Sequence, residues 1–185
     1  MTPWHLKQAA RVLRRAGIIA YPTEAVYGLG CDPLSATAVF RLLALKNRPV
    51  EKGVILIASD FQQLAPFVRT PEPAIMRTIS ATWPGPVTWL LPAKAETPAW
   101  LCGAHDTLAV RVTAHPQASA LCRAFGGALV STSANPAGRS PARHSWRVRH
   151  YFGNGLDCIL SGTVYSHAKP TEIRDALSGK VIRSA

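Results

Sequence analysis

Hydrophobic residues recur along the chain at two spacings, and each spacing predicts a different element. Apolar side chains over residues 3–16 recur every three or four positions, which is typical of an amphipathic helix. Short apolar runs such as 54–58, and the alternation over 107–112, predict strands. Because helical and strand patterns alternate throughout, the sequence predicts an α/β or α+β domain with a mixed sheet.

Capping and turn residues divide this pattern into elements. Thr2 and Pro3 suit the start of the first helix and Gly17 its end, while Ser35 is expected to cap a helix that runs to about residue 46. In one domain over residues 1–185 we expect about six to eight strands and about four to six helices. The other predicted strands are 18–21, 87–91, 128–132, 157–160, 171–174 and 180–183; helical segments are predicted from 60, from 71, and over 116–125 and 145–152.

Composition narrows the class of protein. The chain has 185 residues, of which 48% are hydrophobic, enough for one domain with a core. Its apolar runs are only strand-sized, and apolar and basic residues interleave over 4–15, unlike a signal peptide. We therefore expect a cytoplasmic protein without a membrane partner. The cysteines and histidines lack metal-ligand spacing, so no metal site is predicted.

The charge favours anionic partners. Twenty-one Lys and Arg residues face 10 Asp and Glu, which gives a net charge of +11. Such a surface suits nucleotides or RNA, although solubility alone accounts for part of it. The cations are densest in one segment, formed by Arg139, Arg143, Arg147, Arg149 and His150.

Three polar segments follow predicted strands or helices, where ligand-binding groups are often placed. In the first, the strand at 18–21 leads into Pro-Thr-Glu and then a Tyr-Gly-x-Gly turn over 27–30. Glycines let a backbone approach a ligand closely, Thr23 offers a hydroxyl, and Tyr27 a ring and a hydroxyl. An ordinary turn has the same composition.

The second segment carries Lys46 and Arg48 at a predicted helix C-terminus. These cations either complement the helix dipole or clamp phosphate oxygens. In the third segment a core strand ends in Ser131-Thr132-Ser133-Ala134-Asn135, whose hydroxyls, amide and backbone donors can cradle phosphate. Neither a Walker nor a Rossmann glycine motif is present. Arg111, inside an apolar strand, faces either solvent or a charged pocket.

In this order, the motifs resemble those of the YrdC-like family of threonylcarbamoyl-AMP synthases. The resemblance covers almost the whole chain and corresponds to the short bacterial form. It implies a twisted α/β fold, with a mixed sheet and flanking helices around a large basic concave cavity. The matching motifs are Tyr-Pro-Thr-Glu-Ala-x-Tyr-Gly-x-Gly-Cys-Asp at 21–32, Lys-x-Arg-Pro at 46–49, Trp-Pro-Gly-Pro-x-Thr at 83–88, Ala-Val-Arg-Val at 109–112, Ser-Thr-Ser-Ala-Asn at 131–135, and Glu-Ile-Arg-Asp ahead of a terminal Arg over 172–183.

The resemblance also implies a reaction. Threonine takes up bicarbonate or CO2 as an N-carbamate, whose oxygen attacks the α-phosphate of ATP and releases pyrophosphate. The resulting threonylcarbamoyl-AMP passes to a tRNA threonylcarbamoyl transferase complex that makes N6-threonylcarbamoyladenosine. Magnesium is expected to ride mainly on the phosphates, with few protein ligands.

Residue roles follow from the same resemblance. The residues implied in catalysis are Lys46, Arg48 and Arg111. Those implied to bind the threonine and carbamoyl groups are Thr23, Tyr27, Arg111 and Ser131. Those implied to bind ATP are Lys46, Arg48, Ser131, Thr132, Ser133, Asn135, Thr171 and Arg183.

This chain departs from the family pattern at a few positions. Lys52-Gly53-Val54 stands where many relatives have Lys-Pro-Leu, and Asn135-Pro136-Ala137-Gly138 where Asn-x-Ser-Gly is usual. The loop 162–169 is divergent. The main alternative function is a module that binds tRNA or double-stranded RNA through its positive charge. A third interpretation is a carbamoyl-adenylate module of hydrogenase-maturation proteins, but those are much longer and carry zinc-finger-like cysteines that this sequence lacks.

Overall fold

A mixed nine-stranded sheet runs through the computed structural model, which describes residues 2–166 and 171–184. Helices flank the sheet, as predicted. The strands are β1 Ile19–Pro22, β2 Tyr27–Gly30, β3 Ile55–Ala58, β4 Val87–Pro92, β5 Thr107–Val112, β6 Leu129–Ser133, β7 Cys158–Ile159, β8 Glu172–Asp175 and β9 Val181–Arg183. The helices are α1 Pro3–Arg14, α2 Ala36–Lys46, α3 Pro73–Ser80, α4 Ala99–Cys102, α5 Pro116–Phe125 and α6 Ser145–Phe152.

The strand order is β7-β1-β2-β6-β3-β5-β4-β8-β9. Three neighbouring pairs, β1–β7, β3–β5 and β4–β8, are parallel, and the other pairs are antiparallel. The predicted mixed sheet is therefore confirmed. Strand β6 lies near the middle of this order, between β2 and β3, so the Ser-Thr-Ser-Ala-Asn motif leaves the sheet near its centre.

Local signals set most element boundaries. The Ser35 hydroxyl accepts a hydrogen bond from the Ala38 amide at 3.3 Å and caps α2. Helix α5 covers the predicted residues and ends at Gly126, whose φ of 91° is left-handed. Over residues 2–166 and 171–184, none of the helices combines the length and apolar character that crossing a bilayer requires.

Buried side chains form two clusters. The larger one includes residues of β2, β3, β4 and β5 together with α2 and α3, and Trp89 is among its bulkiest members. The smaller one packs α1 and α5 against Ile19, Ile57 and Leu129. Because side chains alternate along a strand, these three residues lie on one face of the sheet, and Leu56 and Val130 lie on the opposite face.

The structure corrects three details of the prediction. The described residues contain nine strands, more than expected, and the predicted Tyr-Gly-x-Gly turn is strand β2. Its glycines make room for a neighbouring ring: a Cβ added to Gly30 would lie 2.8 Å from Cε1 of Tyr21. The short helix α4 was also not predicted; it covers only Ala99–Cys102, too few residues for a periodic pattern.

Candidate active site

A cavity of about 520 Å³ opens over the half of the sheet face that α1 and α5 leave uncovered. Its floor contains a cross-strand row in which Ile55 pairs with Ser131 and with Ala109, and Ala109 pairs with Leu90. These neighbours come from β6, β3, β5 and β4. Their side chains lie on the same face because directly paired residues point the same way.

The predicted site residues gather around this cavity and a smaller one beside it. The smaller cavity, of about 240 Å³, is bordered by Lys46 and Asn135 and shares four lining residues with the larger one. The shared residues are Arg48, Lys52, Thr132 and Ser133. The predicted residues that line the larger cavity are Thr23, Tyr27, Arg48, Arg111, Ser131, Thr132, Ser133, Thr171 and Arg183.

Arg111 forms a buried ion pair at the cavity wall. Its Nη1 lies 3.2 Å from Oε2 of Glu24, and the two side chains are only 6% and 7% exposed. The other Glu24 oxygen accepts from the Thr113 hydroxyl at 2.7 Å and the Ala114 amide at 3.2 Å. Burial acts to raise the pKa of Glu24, but the Arg111 charge and the Thr113 hydrogen bond outweigh it, so the pKa lies below its ordinary value.

The sequence left open whether Arg111 faces solvent or a pocket, and the structure places it in the pocket. Within the part of the chain that the structure describes, Nε of Arg111 is buried without a hydrogen-bond acceptor, and Nη1 meets Oε2 of Glu24 in an ion pair that lacks hydrogen-bond geometry. Unsatisfied buried donors are costly unless a ligand fills them. The Arg111 guanidinium lines the larger cavity and presents its positive charge there.

Arg48 is held by the backbone of the turn that follows it. Its Nη2 donates to the Gly53 carbonyl at 2.9 Å and to the Lys52 carbonyl at 3.2 Å. Gly53 has a φ of 58°, and a Cβ there would lie 2.7 Å from the Cys102 carbonyl oxygen. Proline cannot adopt this φ, so the Lys-Gly-Val departure has a structural reason in this chain.

Lys46 organises the loop that follows β6. Its ammonium donates to the carbonyl of Ser133 and, at 2.7 Å, to that of Asn135. Burial, together with the nearby Arg48 charge, lowers the pKa of Lys46 to about 8. The third N–H of the ammonium remains for a ligand in the smaller cavity.

The Asn135 side chain makes its contacts inside the same loop. Its Oδ1 accepts from the Ser133 hydroxyl at 2.6 Å, and its Nδ2 donates to the Pro136 and Arg139 carbonyls at 3.1 and 2.7 Å. The structure therefore shows Asn135 shaping the loop at the rim of the smaller cavity.

Arg183 completes a chain of neighbouring cations. Its Nη2 donates to the Thr171 carbonyl at 2.7 Å. Burial and the Arg111 charge lower the pKa of Arg183, while burial and the Arg183 charge lower that of Arg48. Among the residues described, Glu24 is the one carboxylate paired with any of these cations or with Lys46. The two cavities therefore carry an excess of positive charge.

Thr23 and Tyr27 make mainly internal contacts. The Thr23 hydroxyl donates to the Val26 carbonyl at 2.6 Å. The Tyr27 hydroxyl donates to the Gly162 carbonyl at 2.7 Å and accepts from the Gly162 amide at 2.9 Å. Tyr27 thus holds the described start of the divergent loop, 162–166, whose remaining residues 167–169 lie outside the described residues.

Comparison with known proteins identifies the family. The sequence model of the Sua5/YciO/YrdC family, described as "Telomere recombination", matches residues 11–185. The chain belongs to the Sua5/YciO/YrdC family. A Halorhodospira halophila protein of this family, named threonylcarbamoyl-AMP synthase, is 55% identical over 181 residues, which cover 98% of this chain and 95% of that protein.

Two solved structures confirm the Sua5/YciO/YrdC fold. P. abyssi Sua5 complexed with L-threonine matches with a TM-score of 0.89 and 30% identity over 95% of this chain and 52% of that one. This chain therefore spans about half the length of that Sua5. E. coli YciO matches with a TM-score of 0.81 and 26% identity, over 92% of this chain and 82% of that one.

Sequence reasoning missed two groups of this Sua5/YciO/YrdC site. Glu24 stood within a quoted motif, but its partner Arg111 is distant in the sequence. Thr88 is fully buried in the cavity floor, and its hydroxyl has no hydrogen-bond partner among the described residues. Thr88 also ended a quoted motif, the one over 83–88, and strand alternation puts it on the same face as Leu90, two residues further on.

Proposed function

We propose that this member of the Sua5/YciO/YrdC family is an L-threonylcarbamoyladenylate synthase, which converts ATP, L-threonine and bicarbonate to threonylcarbamoyl-AMP and pyrophosphate. The observation that carries the proposal is the convergence of five cations on two adjoining cavities: Lys46, Arg48, Lys52, Arg111 and Arg183. Among the described residues, Glu24 is the one carboxylate paired with any of them. A site with this charge favours a polyanionic substrate. Relatives of similar length named threonylcarbamoyl-AMP synthase support the specific reaction.

The larger cavity has room for more than threonine. Its volume of about 520 Å³ falls within the range of about 300–1,000 Å³ that holds drug-sized ligands. We assign the threonine carboxylate to the Arg111 guanidinium, which lines this cavity, with the adenylate in the same cavity beside Ser131 and Thr132. The L-threonine seen in P. abyssi Sua5 supports an amino-acid subsite in this fold.

The smaller cavity suits the leaving pyrophosphate. It is bordered by Lys46, Lys52 and Arg48, and Arg48 also lines the larger cavity. ATP bound across both would place its α-phosphate near the shared wall, which Thr132 and Ser133 also form. Arg48 can then contact the α-phosphate, which lies between the bond that forms to the carbamate and the bond that breaks to pyrophosphate.

Adenylyl transfer on this site needs positioning and charge neutralisation. A carbamate oxygen forms a bond to the α-phosphorus, and the bond from that phosphorus to the bridging oxygen breaks, so pyrophosphate takes the electron pair. Negative charge moves toward the leaving group, where Lys46 and Arg48 stabilise it. Holding both reactants in one cavity removes the entropic cost of their encounter.

Magnesium enters this proposal as part of the substrate, Mg·ATP. Over residues 2–166 and 171–184, no group of three or more His, Cys, Asp or Glu side chains could hold a metal ion. Glu24, the described carboxylate that pairs with a cavity cation, is already engaged by Arg111 and Thr113. Magnesium bound mainly by phosphates and water fits its preference for octahedral oxygen ligands.

The product also implies a partner. Threonylcarbamoyl-AMP is a mixed anhydride, and its carbonyl carbon is open to attack by an amine or by water. We propose that it passes to a tRNA threonylcarbamoyl transferase complex, which would use it to acylate the adenosine amine.

Pyrophosphate release tests the proposal directly. Purified protein would be given Mg·ATP, with and without L-threonine and bicarbonate, and with no RNA present. We expect release that requires both co-substrates and falls about 10²-fold in Arg48→Ala. Arg77→Ala, which removes an exposed cation of α3, serves as the matched control. Release that ignores threonine, or that Arg48→Ala leaves intact, would overturn the proposal.

A second candidate function, binding of tRNA or duplex RNA, is favoured by the surface of α6. Trp146 is 60% exposed, and the Arg147 guanidinium lies 5.0 Å from the centre of its ring. Exposed aromatic rings beside cations bind bases and phosphates. By contrast, Arg143 donates to the Tyr165 and Ser166 carbonyls. Titration with duplex RNA at increasing salt should show weaker binding by Arg147→Ala than by Arg77→Ala; equal affinities would remove this candidate.

A further inference from the structure

Tyr21 reaches the active site from the covered half of the sheet. The residue lies on β1, is 1% exposed, and belongs to the cluster under α1 and α5. Its ring lies over β2: a Cβ on Gly28 would lie 3.4 Å from Cζ of Tyr21, and one on Gly30 would lie 3.3 Å from its hydroxyl oxygen. The two glycines therefore leave room for the ring to extend from β1 toward β6.

The Tyr21 hydroxyl ends 2.9 Å from Oγ of Ser131, which lines the larger cavity. Ser131 is its one hydrogen-bond partner among the described residues. Burial raises the pKa of Tyr21 far above its ordinary value, so the phenol keeps its proton. A buried O–H left without an acceptor is costly, so Tyr21 donates and Ser131 accepts.

This direction of donation leaves the proton of Ser131 free. A serine hydroxyl has one hydrogen, and its oxygen is occupied on the Tyr21 side. Oγ of Ser131 donates to no acceptor among the described residues, and Ser131 lines the cavity. The Ser131 hydrogen is therefore directed toward whatever the cavity binds.

We propose that Tyr21 is a positioning residue, which fixes the Ser131 hydroxyl as a hydrogen-bond donor to an anionic oxygen of the bound substrate. The proposal rests on the proposed function, since that reaction places carbamate and α-phosphate oxygens in the cavity. A donor whose direction is set before the substrate binds needs no reorganisation as charge develops. Tyr21 itself touches neither substrate.

The test compares Tyr21→Phe, Ser131→Ala and the double variant in the pyrophosphate assay. Phenylalanine keeps the ring between the sheet and its covering helices and removes only the hydroxyl. We expect Tyr21→Phe to lower kcat roughly tenfold with a smaller change in the KM for threonine. The double variant should be no slower than Ser131→Ala, because the tyrosine acts through the serine. Tyr151→Phe is the matched control, because it removes an exposed hydroxyl that donates to the Ser140 carbonyl at 3.1 Å.

Several outcomes would overturn the inference. Full activity of Tyr21→Phe, or losses that multiply in the double variant, would show that the tyrosine does not act through Ser131. Should Tyr21→Phe fail to fold, Ser131→Cys in the native background replaces it, since a thiol is a weak donor. That variant should fall nearly as far as Ser131→Ala, and native turnover would contradict the proposal. If the wild-type protein showed no threonine-dependent release of pyrophosphate, that result would instead contradict the proposed function.

Discussion

One face of the sheet is covered at one end and open at the other, and strand β6 crosses the boundary. Leu129 lies in the covered half, packed with Ile57 under α1 and α5. Two residues further on the same face, Ser131 lines the cavity, and Ser133 follows it. Along β6, side chains on this face change from apolar Leu129 to polar Ser131 and Ser133 where the helices stop. The comparison teaches that the larger cavity lies where the helices leave the sheet uncovered.

The two halves differ in what they contribute. The covered half buries apolar surface, which stabilises the fold by about 25 cal/mol per Å². The open half buries Arg111, Glu24 and the hydroxyl of Thr88, whose desolvation is only partly offset by partners in the described chain. Active sites commonly sacrifice stability in this way. Substitutions in the two halves should therefore separate stability from turnover.

The largest effect on turnover is expected from Arg111→Ala. Turnover should fall about 10²–10³-fold, because the substrate carboxylate loses its guanidinium. The free energy of unfolding should fall by about 3–5 kcal/mol, because Glu24 stays buried without a partner. Urea unfolding and the pyrophosphate assay measure the two effects.

A paired variant sharpens this prediction. Arg111→Met combined with Glu24→Leu removes both charges, so much of the lost stability should return. Turnover should remain as low as in Arg111→Ala. Recovered turnover in the double variant would show that Arg111 serves only to neutralise Glu24.

A smaller effect is expected from Gly53→Ala in the turn that holds Arg48. The new Cβ would meet the Cys102 carbonyl at 2.7 Å, and the φ of 58° disfavours alanine. The turn must shift, and the KM for ATP should rise about tenfold. Gly126→Ala is the control, since its φ of 91° carries similar strain with nothing within 4 Å of the added Cβ. If both variants alter KM equally, the turn does not position Arg48.

Lys46 makes ATP binding sensitive to pH. Its pKa in the free protein is about 8, and bound phosphates should raise it by stabilising the charged form. Between pH 8 and 9, ATP binding should therefore take up protons, and affinity should weaken up to about tenfold per pH unit. Calorimetry in buffers of different ionisation enthalpy measures the uptake. Lys46→Arg should abolish it; unchanged uptake in that variant would assign the proton to another group.

Lys46 also affects the free energy of unfolding, in a direction that its lowered pKa determines. Its folded pKa of about 8 lies below the ordinary value of 10.5, so between these values the unfolded chain binds more protons. This group alone therefore makes the free energy of unfolding rise with pH across that window. Comparing the slope of urea stability against pH for native protein and Lys46→Met would show whether the predicted rise is present.

The smallest effect on turnover is expected in the covered half. Leu121 is fully buried between α5 and the sheet. Leu121→Ala should lower the free energy of unfolding by about 2–5 kcal/mol through the cavity it leaves. Turnover of the folded protein, measured well below its melting temperature, should stay within about twofold. A rise in the KM for ATP as large as the one expected for Gly53→Ala would show that the two halves are not independent.

The sequence predicted those parts of the fold that local signals decide. Helix α5 and strand β5 have the predicted bounds. Pro116 and Gly126 delimit the helix, and the alternation of side chains between the two faces defines the strand. Strand β2 was mistaken for a turn because it contains two glycines. These glycines leave room for the Tyr21 ring of the neighbouring strand. Such a requirement is tertiary and leaves no periodic signal.

The site was predictable as a set of residues and less so as a geometry. The resemblance gathered residues that the structure brings around two adjoining cavities. It did not show that the Tyr27 hydroxyl is occupied by Gly162, or that Arg111 pairs with Glu24. These contacts join positions far apart in the sequence, where no spacing rule applies. The roles of the individual residues stay predictions that the variants above test.

The most direct test of the central claim is to identify the product. The purified protein would be incubated with Mg·ATP, L-threonine and carbon-13 bicarbonate, and the nucleotides analysed by mass spectrometry. We expect an adenylate whose mass includes threonine and shifts with the carbon isotope supplied, formed together with pyrophosphate. Conversion of ATP to AMP or ADP without a threonine-containing adenylate, or no conversion at all, would contradict the account.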